Sequence, residues 1–263
     1  MKITVLTENT TENANLTAEH GLSLFIETEK HKILFDMGQT EAFCNNADKL
    51  GVDLSTVDFA VLSHGHYDHG GGIAKFIEIN KTAKIYISRL AFGMHFNASE
   101  KYIGLDKTLM HSNRLIYVDD ALEIGGGLSL HSCNEKKRIF PTEPYGLGIE
   151  RDGTICPDDF LHEQYLLIDE GGKRILISGC SHKGVLNIAE WFAPDVFIGG
   201  FHLSKLDTQG AGAVKLKEIA GSLMMHDTKY YTAHCTGVEQ YRYLKDIMGD
   251  RLGYLSTGSV LEI

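Results

Sequence analysis

The chain has 263 residues, 43% hydrophobic and 23% charged, enough to bury a large core within one domain spanning 1–263 or within two fused halves. With 25 basic against 35 acidic residues, the formal charge is −10, which argues against a general nucleic-acid surface. The first residues lack an apolar run long enough for a signal peptide or anchor and no later stretch suits a membrane span, so the expected location is cytoplasmic. Cys44, Cys133, Cys156, Cys180 and Cys235 are odd in number and irregularly spaced, unlike a disulfide framework.

ITVL (3–6) opens as a strand, and 21–38 reads as a hairpin of two apolar runs around the charged turn ETEKHK. An amphipathic helix over 40–50 stops at Gly51, and 57–63 is a nearly continuous apolar strand. A helix over 72–80 and a strand over 84–88 follow. Residues 89–114, with Met94, His95, Phe96, Met110 and His111, read equally as helix or as a loop over a site. RLIYV (114–118) and LSLHSC (128–133) look like strands. The stretch 134–163 holds three of the four prolines and reads as an irregular connection, long enough that a lid is expected. Its KKR cluster (136–138) is either a solvated loop or an anion contact. Beyond it come a hairpin over 164–180 turning at Gly171 and Gly172, and a helix over 184–192. A strand over 195–203, a helix over 213–224 and a strand over 229–237 complete the reading. The two halves echo one another, strands first and then strand–loop–helix units with histidines at strand ends.

The chemistry concentrates at SHGHYDHGGG (63–72), where three histidines and an aspartate fall within six positions directly after a buried strand. A divalent first-row metal takes neutral imidazoles and carboxylates from fixed backbone and leaves a position open for water or substrate. The spacing suits two ions: His64 and His66 point to one, and Asp68 with His69 turn to the other. Glycines 65, 70, 71 and 72 are expected to let the backbone bend there without Cβ clashes. Completing both shells needs ligands from elsewhere, and three histidines after later strands are candidates: His182, His202 and His234. Two zinc ions about 3.5–4 Å apart lower the pKa of a shared water, furnish a hydroxide and polarise the bond under attack, which is hydrolytic chemistry. Iron, manganese and nickel are alternatives to zinc.

Taken together, FDMG (35–38), the SHGHYDHGGG motif and ILISGC (175–180) resemble the metallo-β-lactamase superfamily over nearly the whole chain. The set AEHGLSLFIET, FDMGQ, HEQYLLI, GCSHKGVLN, GGFHL and HCTG resembles its dihydropteroate- or dihydropterin-synthase-like branch. That resemblance implies an α/β fold, a four-layered αββα sandwich. It further implies a first site of His64, His66 and His182 and a second of Asp68, His69 and His234. The sequence departs from the family at 162–164, where typical members carry the third ligand in Gly-His-Thr-Pro-Gly-His and this chain has His-Glu-Gln. Cys180 stands where a bridging aspartate is usual and is either a ligand or a buried thiol. Asp36 is expected to orient a ligand imidazole. His202 is a substrate contact or proton shuttle, or else a hydrogen-bonded strand-end histidine; His20 is a surface histidine that could approach the site, and Cys235 packs.

The activity implied is hydrolysis of a small, anionic or neutral ester, thioester, lactone or phosphoester, with Asp68 binding metal and accepting a proton and His202 steadying an oxyanion or leaving group. Two alternatives accompany it: a transferase joining a dihydropterin to an aminobenzene derivative, and a non-catalytic metal or ligand sensor. Neither nucleic acid nor a membrane is an expected partner.

Overall fold

Strands with apolar residues on both faces need cover on both sides, and this chain supplies it in four layers. The computed structural model describes residues 1–263. The first half contributes β1 (Lys2–Thr7), β2 (Ser23–Glu27), β3 (Lys32–Phe35), α1 (Ala42–Leu50), β4 (Phe59–Val61), α2 (Tyr67–Gly70), α3 (Ile73–Ile79), β5 (Lys84–Ser88), β6 (His95–Phe96) and β7 (Leu115–Val118). The second contributes β8 (Ala121–Gly125), β9 (Leu128–His131), β10 (Gly148–Arg151), β11 (Thr154–Pro157), β12 (Tyr165–Glu170), β13 (Lys173–Ile177), α4 (Val185–Phe192), β14 (Val196–Ile198), α5 (Gly210–Leu223), β15 (Lys229–Thr232), α6 (Val238–Met248), β16 (Leu252–Tyr254) and β17 (Val260–Glu262).

One seven-stranded sheet runs β17-β1-β2-β3-β4-β5-β7 and the other β16-β15-β14-β13-β12-β9-β8. In the first, pairing is antiparallel from β17 to β3 and parallel from β3 to β7. In the second it is parallel from β16 to β13 and antiparallel from β13 to β8, so each half repeats one plan. Ile33, Phe35 and Val61 of the first sheet meet Ile175, Ile177 and Ile198 of the second in a shared core. Alternate residues face outward: Leu34, Ala60 and Ile85 pack on Phe43 of α1 and Phe76 of α3. Leu176, Phe197 and Tyr230 pack on Ile188 of α4, Leu216 of α5 and Leu244 of α6. This is the αββα sandwich, and no helix is long and apolar enough to cross a membrane.

The strands expected over 57–63, 195–203 and 229–237 pair over only three or four residues, because the chain leaves each sheet to build the site. The stretch 134–163 is not wholly irregular: β10 and β11 form a hairpin joined by β6 into a third, three-stranded sheet. Its KKR cluster packs on helix α4, with Lys136 Nζ donating to Trp191 O and lying 5.4 Å from the Phe192 ring centre. The glycines of the 63–72 motif have ordinary negative φ, and their role is space. A Cβ on Gly65 would lie 2.0 Å from Ala91 O, and one on Gly71 2.1 Å from Gln39 O.

Candidate metal centre

All the ligand-type residues of the motif lie beyond the carboxyl ends of parallel strands, the edge at which open α/β sheets bind ligands. β3 leads to Asp36, β4 to His64–His69, β13 to Cys180–His182, β14 to His202 and β15 to His234. Several of these turns pass through the left-handed region with a residue other than glycine: Asp36 (φ 58°), Ser181 (58°), His202 (53°) and His234 (51°). Such backbone persists only where its surroundings over-determine it, and here it aims side chains into one cleft.

Two groups form. In the first, His64, His66 and His182 present ligand atoms that all lie within 4.8 Å of one another. His182 Nε2 is 3.3 Å from His64 Nε2, and His66 Nε2 is buried with no hydrogen-bond partner. In the second, His234 Nε2 lies 3.2 Å from His69 Nε2 and 3.3 Å from Asp68 Oδ2, while Cys180 Sγ lies 3.2 Å from His69 Nε2. The structure therefore brings together His64, His66, Asp68, His69, Cys180, His182 and His234.

In His64, His69 and His234 the opposite ring atom is held. Asp36 Oδ2 accepts from His69 Nδ1 at 2.6 Å, and the same carboxylate accepts from the Ser63 amide and hydroxyl, each at 2.7 Å. Ser63 Oγ is 2.8 Å from His64 Nδ1, and Asn9 Oδ1 accepts from His234 Nδ1 at 2.7 Å. Fixing Nδ1 in this way leaves Nε2 to face the cleft. His20 is exposed, yet its Nε2 reaches Asp68 Oδ2 at 3.3 Å. His202 Nδ1 is buried without a partner, and its ring lies 4.3 Å from that of His182.

Burial, together with neighbouring histidines, pushes the pKa values of His64, His66 and His182 well below the usual imidazole value. These rings are neutral near pH 7, the form that binds metal. His69 goes the other way: burial opposes its charge, but the Asp36 and Asp68 carboxylates outweigh it and raise the ring to about 9. Without an ion it carries a proton between Asp36 and His234, in the place a cation would take. Asp68 is held well below the carboxylate range against the effect of burial by His69, His20 and His234. Neutral imidazoles, a carboxylate and a thiol in two groups, with the outer nitrogens of His64, His69 and His234 anchored and an unpartnered buried Nε2 on His66, fit borderline divalent cations.

The sequence reading passed over three sets of residues. Glu8 accepts from the His234 amide at 3.1 Å, and with Asn9 it ties the N-terminal loop to the second group. The His162-Glu163-Gln164 segment, the point of departure from the family, braces both ligand loops. The Glu163 carboxylate accepts the His182 and Lys183 backbone amides at 2.7 and 3.0 Å, and the Gln164 backbone N–H donates to Ser63 O at 2.8 Å. The third set is a buried cluster of His95, Asp158 and His162 beside His66. Gly65 N–H donates to His162 Nδ1 at 2.9 Å, which puts the neutral ring's proton on Nε2, facing Asp158 at 3.3 Å. His95 Nδ1 donates to the same carboxylate at 2.9 Å. Through Nδ1, His162 supports the turn between His64 and His66, while His162 Nε2 and His95 Nε2 are buried with no hydrogen-bond partner and, with His66 and Asp158, present ligand atoms within 4.8 Å of one another. The one cue for this cluster in the sequence was His162 and Asp158 four apart beside a departure from the motif.

A family model described as the metallo-beta-lactamase superfamily matches residues 16–211. The chain is 28% identical over 254 residues to an uncharacterized protein of Methanocaldococcus jannaschii, covering 93% of this chain and 94% of that one. It is 27% identical over 274 residues to the 7,8-dihydropterin-6-methyl-4-(beta-D-ribofuranosyl)-aminobenzene-5'-phosphate synthase of the same organism, covering 95% and 92%. Among solved structures, a metal-dependent hydrolase of the beta-lactamase superfamily superposes with a TM-score of 0.84 at 27% identity, covering 100% of this chain and 99% of that one. The short form of human tRNase Z shares the fold at a TM-score of 0.56 and 14% identity, covering 100% and 99%.

Proposed function

The chain belongs to the metallo-beta-lactamase superfamily, and from that premise we propose that it is a hydrolase that uses two divalent cations, zinc foremost, on a small ester, lactone or phosphoester. The observation that carries this reading is the pair of close Nε2 approaches, 3.3 Å between His64 and His182 and 3.2 Å between His69 and His234, in rings whose Nδ1 atoms are anchored or buried. His64, His66 and His182 would hold one ion, and Asp68, His69 and His234 the other, with Cys180 as a further ligand of the second. Bound there, such ions supply Lewis acidity and lower the pKa of a water.

The remaining work falls to the chain. Asp68 stays ionised and can take up a proton; His20, exposed and 3.3 Å away, leads that proton to solvent. Asp36 and Asn9 keep the His69 and His234 rings oriented. His202, beside His182 and with an unpartnered Nδ1, is suited to steady developing charge or protonate a leaving group. The formal charge of −10 favours a small substrate over a polyanion. Zinc-loaded protein tested on aryl esters, lactones and aryl phosphodiesters should hydrolyse at least one class, with loss of activity in His66→Ala and Asp68→Asn. Full metal loading without turnover on any of them would overturn the reading and leave a sensor.

A second reading, transfer of a dihydropterin from its pyrophosphate to an aminobenzene derivative, has its support in the synthase of Methanocaldococcus jannaschii, similar over 95% of this chain. Incubation with a pterin pyrophosphate, with and without the aminobenzene acceptor, separates the two: condensation product favours transfer, and acceptor-independent breakdown favours hydrolysis.

A further inference from the structure

A cavity of about 340 Å³ opens beside the first histidine group, floored by His182 and His202. We infer that it is a subsite for an uncharged, apolar body of the substrate, an aryl or branched alkyl group on the leaving-group side. This inference rests on the hydrolase reading for what happens at the metals, and on the cavity itself for what binds.

Its walls come from three separate elements: Phe140 and Tyr145 from the stretch before β10, Leu186 from α4, and Ile219 from α5. These walls are fixed. The Asn187 side chain on α4 clamps the stretch by accepting from the Phe140 amide and donating to the Phe140 carbonyl, each at 2.9 Å. Small-molecule sites are concave, largely preformed, mostly apolar and carry a few convergent polar groups, which describes this cavity. At about 30 Å³ for each water-sized body, it takes roughly ten non-hydrogen atoms. Its charged lining residues are Lys215, Glu143 and Glu218. One cation against two carboxylates gives an anionic body no pole to bind, so negative charge on the substrate belongs at the metals and the part in the cavity is neutral. His202 stands between the two regions, 4.3 Å from His182 and 5.6 Å from Tyr145 by ring centres. A group seated in the cavity is therefore the one that His202 can protonate as it departs.

The test is calorimetric binding of methyl-, butyl-, phenyl- and naphthylphosphonate to the zinc-loaded full chain. Each buried methylene should tighten binding roughly threefold to fourfold, so Kd should fall at least tenfold from methyl to phenyl and further to naphthyl. A 4-carboxyphenyl analogue should lose most of that gain. Ile219→Trp, which fills the cavity, and Leu186→Glu, which charges it, should abolish the gain and leave methylphosphonate binding unchanged; that retained binding also reports an intact fold. A flat series, a gain that survives both variants, or tighter binding of the carboxylated analogue would overturn the inference. If the gain is present while no ester is hydrolysed, the subsite stands and the hydrolase reading fails; if esters are hydrolysed and the series is flat, the reverse holds.

Discussion

Replacing Asp36 with asparagine should cost the protein its metal before it costs the fold. The Asp36 carboxylate is fully buried and receives three donors: the Ser63 amide, the Ser63 hydroxyl and His69 Nδ1–H. An asparagine in the same place can satisfy the Ser63 amide with its carbonyl, but its NH₂ then faces His69. The imidazole answers by moving its proton from Nδ1 to Nε2, the atom that lies 3.2 Å from His234 Nε2, and the lone pair a cation needs is lost. Outer partners of this kind are worth about 10- to 100-fold in metal affinity. A second signature appears in metal-free protein. His69 is raised from 6.5 to about 9 with Asp36 as the leading favourable cause, and at about 1.4 kcal/mol per pKa unit this is about 3 kcal/mol of stability. Because the folded value is the higher one, that contribution is fully present below pH 6.5 and disappears as pH rises through about 9. Because Asp68 shares in raising His69, urea denaturation of chelator-treated protein should show Asp36→Asn up to about 3 kcal/mol less stable than the parent at pH 6 and much closer to it at pH 10. Competition with a zinc chelator should show the affinity loss. A variant with parental zinc affinity and a pH-independent stability difference would refute the tautomer argument.

Zinc uptake by the parent at pH 7.5 should release close to one proton from His69, read by calorimetry in buffers of different ionisation enthalpy; no buffer dependence would count against a protonated His69. Gly65→Ala places a Cβ 2.0 Å from Ala91 O and must shift the turn between two candidate ligands, so metal content should fall with little change in helix content. Glu163→Gln weakens the acceptor that holds the His182 and Lys183 amides and should lower stability by about 2–3 kcal/mol in denaturant titrations. Cys180→Ser in cobalt-substituted protein should remove a thiolate charge-transfer band; an unchanged spectrum would assign Cys180 as a buried thiol.

Local pattern made the layers legible. Alternating and continuous apolar runs such as ILISGC and VDFAVLS marked strands buried on both faces, and helices α1, α3 and α4 were readable within one or two residues from periodicity, α1 with Gly51 as its stop. The SHGHYDHGGG motif also declared its chemistry alone, because ligand-type residues so close in sequence are close in space whatever the fold. What pattern could not show was the hairpin of β10 and β11: of its strand residues only Gly148 is buried, with Ile149 and Cys156 half-buried and the rest exposed, so no buried apolar face marks it and it is held by pairing with β6.

The residues around the motif depended on the tertiary structure in the same way. Glu8 and Asn9 lie over 220 positions from His234 and meet it only because β1 and β15 end at the same edge of the sandwich. His162 marked a departure from the family motif in sequence, and the fold set Gly65 N–H against its Nδ1 and buried its Nε2 beside Asp158. Residue type and spacing determine which atoms are capable of holding an ion. Which of them face the cleft with a free lone pair is decided by hydrogen-bond partners from distant segments, since a ring nitrogen can serve a proton or a metal but not both.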